Sequence, residues 1–254
     1  ARAWICRVGH AYDVSRKGYV NLLQPQDRRS LSAGDSTEAV AARARLLAAG
    51  VGRTILDAFV KRAVGLRLAP GSLVVELGAG AGDALGQLAA HARIAGVGID
   101  LSTAAAALAA RRFPDLTWLV ANADRGVPLV DRSASLVLSL HARRNPAECE
   151  RILQAGHLLV AVPAADDLIE LRAAVMGDGV VRDRVEGVVA EHAHMFDLED
   201  RWAVRERRVL AREALLDLLH GTYRGGRTSG VDQVRALGSL EVTVSSDLLL
   251  FRQR

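Results

Sequence analysis

Val74-Val75-Glu76-Leu77-Gly78-Ala79-Gly80-Ala81-Gly82-Asp83 sets an apolar run, a glycine turn and a helix start in succession. That order lets a cofactor approach bare backbone amides at a helix N-terminus. Two cofactor classes compete for the turn. The dinucleotide fingerprint G-x-G-x-x-G/A needs a small sixth residue for helix–strand packing, and counting from Gly78 the sixth is Asp83. An acid two residues before G-x-G-x-G is the spacing of S-adenosylmethionine sites, and Glu76 with Gly78, Gly80 and Gly82 fits it. This cofactor has no pyrophosphate, so the loop, Ala79 included, can cradle its amino-acid end with a carboxylate nearby. Asp100, followed by Leu101, closes a second apolar run where an acid takes ribose hydroxyls. Asn122 and Ala123 follow a third run, where an adenine amino group is commonly read. Acids and Asn after strands are also frequent helix caps, but Glu76, three glycines, Asp100 and Asn122 together favour a cofactor site.

The elements that must position these residues alternate. Apolar strands at Leu73–Leu77, Val97–Asp100, Thr117–Val120, Ser135–Leu140 and Leu158–Val162 are separated by stretches of helical composition. Such alternation predicts an α/β fold with a parallel sheet covered on both faces. Trp202–Leu210 and Leu240–Phe251 complete seven strands, with a helix over Arg212–His220 and a glycine-rich turn over Gly221–Gly230. Upstream, Asp35 or Ser36 caps a helix running to Gly50, and a second helix covers Ile55–Val64, both linker-like or lid-like. Residues 1–34, with short extended runs at Ala11–Val14 and Gly18–Leu23, read as a small separate module.

Charge is placed unevenly. Residues 1–70 carry 12 Lys/Arg against 5 Asp/Glu, a net of +7, which leaves 21 basic against 24 acidic residues, or −3, for the other 184. Lys17 and Lys61 are the only lysines, so an arginine habit explains part of the basicity but not its concentration at one end. Concentrated positive charge points to a polyanion, and phosphate contacts dominate nucleic-acid affinity. Arg28 and Arg29 are the candidates there, whereas Arg201, Arg205, Arg207, Arg208 and Arg212 read as a solvated face. Trp4, Tyr12 and Tyr19 could stack on bases, though packing within a small module suits them better. Fibrous and disordered classes are excluded by 50% apolar and 24% charged residues. No run reaches the length of a membrane span, the start has no secretory pattern, and Cys6 and Cys149 cannot build a disulfide framework. A cytoplasmic location is expected.

Several segments resemble one family. Cys6-Arg7-Val8-Gly9-His10, then Tyr12-Asp13-Val14-Ser15-Arg16-Lys17-Gly18-Tyr19-Val20-Asn21-Leu22-Leu23, carry the likeness. So do Gly34-Asp35-Ser36 with Ala41–Leu47, the glycine loop, and Arg144-Asn145-Pro146 with Glu148 and Arg151-Ile152-Leu153. Over most of its length the chain is similar to the bacterial 23S ribosomal RNA guanine-N1 methyltransferases, which include a tylosin-resistance enzyme. The resemblance implies a class I, Rossmann-like domain over residues 35–254 that uses S-adenosylmethionine. It further implies methylation of guanine N1 in a ribosomal RNA hairpin near the macrolide site, hence a link to antibiotic resistance. Residues 1–34 would correspond to the family's zinc-binding RNA-recognition module. The family's zinc site is a Cys-x-x-Cys pair followed by Cys and His, and only the second half, Cys6 and His10, stands here; the first pair would precede Ala1. Structural zinc takes four ligands, so no bound zinc is expected in this chain. Where the family has Gly-His-Tyr this sequence has Gly50-Val51-Gly52, and Asp167 replaces a histidine after the fifth strand.

The loop Ser139-Leu140-His141-Ala142-Arg143-Arg144-Asn145-Pro146 follows the fourth strand at the carboxyl edge of the sheet, where substrate contacts belong. His141 could accept a proton, Asn145 bind a base edge, and Arg143 and Arg144 hold phosphate; none of them is assigned as the catalytic base. Direct in-line transfer, driven by positioning and water exclusion, would need the target base swung into the pocket. Two alternatives stand beside this reading. One is an RNA-binding protein without productive cofactor binding, motivated by Gly52 and Asp167. The other is a small-molecule methyltransferase, for which the basic front segment would be unnecessary. A homodimer is the default assembly.

Overall fold

The computed structural model describes residues 3–23, 34–177, 183–222 and 228–254. Arg28 and Arg29 lie outside the described residues, as does the middle of the glycine-rich stretch near residue 225.

Helix α1 (Thr37–Ala48) begins at Ser36, whose hydroxyl accepts from the Ala39 amide at 3.1 Å. Such an N-cap is worth about 1 kcal/mol. The helix stops in a Schellman turn, where the Val51 amide donates to the Leu46 carbonyl and the Gly50 amide to Leu47. Helix α2 (Arg53–Gly65) turns Ile55, Leu56, Phe59, Val60 and Ala63 inward at helical spacing. Strands β4 (Ser72–Leu77), β5 (Ile94–Asp100), β6 (Thr117–Val120), β7 (Ala134–Leu140) and β8 (Leu153–Pro163) then alternate with α3 (Asp83–His91), α4 (Thr103–Arg112) and α5 (Pro146–Ile152). After β8 come α6 (Ile169–Met176), α7 (Val185–His192), β9 (Phe196–Ala211), α8 (Arg212–Thr222), α9 (Thr228–Ala236) and β10 (Ser239–Gln253).

The seven expected strands lie in one sheet in the order β6-β5-β4-β7-β8-β10-β9, and within it only β10 runs against its neighbours. An eighth strand, β3 (Val20–Asn21), extends the edge in parallel with β6, pairing Val20 with Leu119 and Asn21 with Val120. Val20 is buried by that pairing. The short Gly18–Leu23 run is thus a sheet strand, a partnership its own sequence does not specify. Ahead of it, β1 (Ala3–Ile5) and β2 (Ala11–Asp13) form a separate antiparallel ribbon with Trp4 opposite Tyr12.

Both sheet faces are covered, one by a cluster centred on Leu77, Ile99, Val160 and Phe251, the other by Phe59, Leu85, Trp118 and Leu138. That coverage explains why the central strands read as near-continuous apolar runs. The largest boundary differences from expectation lie at β8, β9 and α9. β8 begins at Leu153, directly after α5, and β9 extends to Phe196 as an edge strand paired along β10. Thr228–Gly230, expected in a turn, forms the first turn of α9. No helix among the described residues is long and apolar enough to cross a membrane.

Candidate active site

The carboxyl ends of β4, β5, β6 and β7 open into one cavity of about 480 Å³ beneath α1 and α2. On one side the loop after β4 crosses it. Gly78, Gly80 and Gly82 all have positive φ, at 66°, 55° and 80°. A Cβ on Gly78 would collide with Ala142, and one on Gly82 with the Trp118 ring, whereas one on Gly80 would meet nothing within 4 Å. The outer two glycines therefore let the turn pack onto its surroundings, and the middle one leaves backbone open to the cavity.

Asp100 fixes this turn. Its Oδ2 accepts from the Gly80 amide at 2.8 Å and its Oδ1 from the Ser102 amide at 2.7 Å. Burial raises the Asp100 pKa above 3.8, against the opposing pull of those two amides. Glu76, 2% exposed, accepts from the Leu85 amide at 3.1 Å and so serves the first turn of α3 from the strand below. Burial pushes its pKa up to about 8. Leu101, Asn122 and Ala123 line the same wall as Ala79, and the Asn122 side chain accepts from the Asp124 amide at 3.1 Å.

Two contributors beyond the sequence-derived set roof this wall. Arg43 of α1 pairs with Asp35 and donates to the Gly221 carbonyl at 3.0 Å, and the Ser102 hydroxyl donates to the Asp35 carbonyl at 2.7 Å. Their signals in the sequence are the helix cap at Asp35 or Ser36 and the family likeness of Gly34–Ser36 with Ala41–Leu47.

Ala142 packs against the turn at Gly78, and farther along the β7–β8 strand ends stand His141, Arg143, Asp167 and Leu168. His141 and Leu168 adopt left-handed backbone, with φ of 55° and 52°. Such strain in non-glycine residues persists where surroundings over-determine it, and it clusters at functional sites. His141 Nε2 lies 2.7 Å from the Ser246 hydroxyl, and the cleft walls with the Arg184 charge hold its ring pKa below 6.5. Arg143 is exposed at the cavity mouth, 3.8 Å from Asp124.

Arg144 and Asn145 are not brought into the cavity. Arg144 Nε reaches the buried His192 ring at 3.2 Å and its Nη1 the Ala142 carbonyl at 3.3 Å, so its guanidinium braces the loop from within. Asn145 caps α5 through the Ala147 and Glu148 amides and donates to the Asp124 carbonyl at 3.2 Å. Both residues are occupied because the loop must turn from strand into helix.

The RlmA N-terminal family matches residues 1–31, and the methyltransferase domain family matches residues 74–160. The 23S rRNA (guanine(748)-N(1))-methyltransferase of Streptomyces fradiae is 40% identical over 191 residues, covering 73% of this chain and 66% of that protein. A Micromonospora griseorubida protein, provisionally named a 23S rRNA guanine-N1 methyltransferase, is 34% identical over 100% of this chain and 90% of its own length. The chain belongs to the 23S rRNA guanine-N1 methyltransferase family. A solved structure, a provisionally named methyltransferase from Bacillus halodurans, has a TM-score of 0.57 at 14% identity, covering 78% of this chain and 97% of that one. That likeness bears on the fold, which is that of class I methyltransferases.

This methyltransferase uses S-adenosylmethionine, and its residues fit that group. A carboxylate beside an open glycine backbone suits a ribose. Asp100 would hold the ribose, Asn122 and Ala123 the adenine, and the Gly78–Gly82 turn with Glu76 the amino-acid end. When bound, the cofactor supplies an electrophilic methyl group on sulfonium. Gly52, where the resemblance implies an aromatic, caps α2 with φ of 78° and its amide donates to Glu206 at 2.9 Å; a Cβ there would meet nothing within 4 Å.

Zinc does not fit the residues present. The Cys6 amide donates to the His10 carbonyl at 2.9 Å and the Gly9 amide to Cys6 at 3.0 Å, closing one tight turn that carries two donors. Among the described residues no group of three or more His, Cys, Asp or Glu side chains could hold a metal ion. On β9, Arg201, Arg205, Arg207 and Arg208 pair with Glu186, Asp166, Glu241 and Glu206, and Arg212 Nε donates to the Leu237 carbonyl.

Proposed function

We propose that the chain transfers a methyl group from S-adenosylmethionine to N1 of a guanine in a hairpin loop of 23S ribosomal RNA. The observation that carries this reading is the cavity lined on its β4–β5 side by Glu76, the glycine turn and Asp100 and on its β7–β8 side by His141, Arg143 and Asp167. It is joined to a relationship with a guanine-N1 methyltransferase family that spans the whole chain. The target base must leave its stack to reach this depth. Arg143 at the mouth, and Arg28 and Arg29 in the basic front segment, are proposed to hold RNA phosphates, with His141 beside the base. Residues 1–34 act in this reading as the RNA-recognition module and residues 35–254 as the catalytic domain.

Unmodified 23S rRNA is incubated with the protein and methyl-labelled cofactor, and reverse transcription maps the product. N1 methylation blocks the Watson–Crick edge, so a single new stop at a hairpin guanine is expected. Label incorporated at another base, or on a small molecule in preference to RNA, would contradict the proposal. The small-molecule alternative predicts that second outcome. A link to macrolide resistance would show as a raised inhibitory concentration in cells expressing the protein.

A further inference from the structure

We propose that Asp167 is the acceptor for the N1 proton of the target guanine. The inference rests on the guanine-N1 reading above and supplies the base that reading lacks.

Six carboxylates line the cavity. Asp35 and Asp83 are ion-paired with Arg43 and Arg112, and Asp124 faces Arg143 at 3.8 Å. Glu76 and Asp100 hold amides of the glycine turn and its neighbours on the cofactor side. Asp167 is left. Its Oδ1 accepts from the Ser245 amide at 2.9 Å, and among the described residues no hydrogen bond reaches Oδ2.

Position agrees with chemistry. Asp167 follows β8, two strands from β4 on the side away from Asp100, and adjacent strands are about 4.8 Å apart. A carboxylate roughly 10 Å across the strand ends from the glycine turn leaves room for a methyl group and a base between them. The loop carrying it is laced onto β10. Ala164 donates to the Ser245 carbonyl at 3.1 Å, the Ser245 hydroxyl to Asp166 at 2.8 Å, and the Leu168 amide to the Thr243 carbonyl at 2.7 Å. Asp167 is therefore held in place before any substrate arrives, which is what a proton acceptor requires. A carboxylate also matches guanine in particular, because N1–H and the N2 amino group are adjacent donors, while adenine offers no proton at N1.

The step balances. Asp167 takes the N1 proton, and the N1 electron pair forms the bond to the methyl carbon. The sulfur–methyl bond breaks with its pair retained on sulfur, leaving a neutral thioether, and the proton passes from Asp167 to water. Burial pushes the Asp167 pKa up to about 6, against the Ser245 amide and the charges of Arg172 and Arg184, and with Asp166 reinforcing the rise. It thus lies nearer neutrality than an ordinary carboxylate while still ionised at pH 7. His141, on the facing loop, has its Nε2 engaged with the Ser246 hydroxyl at 2.7 Å.

The test is Asp167→Asn, which keeps an oxygen for the Ser245 amide, with Asp167→Glu beside it. The expected result is a fall in kcat of about 10²- to 10⁴-fold, while calorimetric affinity for the cofactor and KM for RNA change less than about threefold, and Asp167→Glu recovers part of the rate. In the wild type, log kcat is expected to rise with unit slope up to about pH 6 and then level. Should Asp167→Asn not fold, that wild-type profile decides. A kcat for Asp167→Asn within about threefold of wild type, or a flat wild-type profile from pH 5 to 8, overturns the assignment. Guanine N1 methylation by the wild type with an undiminished variant removes only this inference. No methylation of guanine N1 by the wild type removes the parent reading and this one with it.

Discussion

The two sides of the cavity are built differently. The glycine turn of the cofactor side is held by nearby chain, with Asp100 bonding Gly80 and Ser102 at separations of 20 and 2 residues, and only its roof, where Asp35 meets Ser102 and Arg43 meets Gly221, comes from farther away. The substrate side is assembled across long distances in sequence, with His141 on Ser246 at 105 residues, Asp167 on Ser245 at 78 and Arg144 on His192 at 48. A local turn that offers bare amides needs little beyond its own glycines. A pocket for a base needs side chains, and their positions depend on whatever element packs behind them.

The largest expected effect breaks the first side alone. Asp100→Ala removes a buried carboxylate from two amides and from the ribose, and hydrogen bonds to charged groups are worth about 1.5–3 kcal/mol each. Calorimetry should show cofactor affinity lowered by about 100-fold or more, with RNA binding near wild type. Equal loss of both would contradict the division between the sides.

A pair of arginine variants sharpens the other side. Arg144→Ala leaves the buried His192 ring nitrogen without its partner, which should cost about 1–3 kcal/mol in urea unfolding and leave the salt dependence of RNA binding unchanged. Arg143→Ala should do the reverse, with stability within about 0.5 kcal/mol of wild type and the slope of log affinity against log salt reduced by about one.

Glu76→Gln tests an effect of pH. The folded-state pKa of Glu76 is raised from 4.5 to about 8, so between those values the folded chain binds more protons than the unfolded one. Its contribution to stability is present at pH 4, is lost as pH rises through about 8, and is constant above. Glu76→Gln should therefore flatten the decline in stability between pH 5 and 9, with the widest gap from wild type near pH 9. Parallel wild-type and variant curves would place Glu76 outside that decline.

The same contrast explains what could be read from the residues. The strand cores and the glycine turn carry their periodicity and composition locally, and seven of the nine cofactor-side candidates are contiguous or nearly so, five from Glu76 to Gly82 and two at Asp100 and Leu101. The residue types of Arg144 and Asn145 suit phosphate and base edges and so point to substrate contacts. Nothing local marks that one would turn toward His192 and the other cap α5. Asp167 stood out only as a replaced histidine, and its link to Ser245 depends on β10 returning antiparallel beside β8. The pairing of Val20–Asn21 with β6 was equally hidden, since two residues carry no period and the partner strand is about a hundred residues away.

The central claim is that the turn at Gly78–Gly82, anchored by Asp100, accepts a sulfonium nucleoside. Calorimetric titration of the intact chain with S-adenosylmethionine, and separately with NAD, tests it most directly. Saturable binding of one S-adenosylmethionine per chain with no heat from NAD is the predicted result. Binding of NAD at that site, or no heat from S-adenosylmethionine at millimolar concentration, would contradict it.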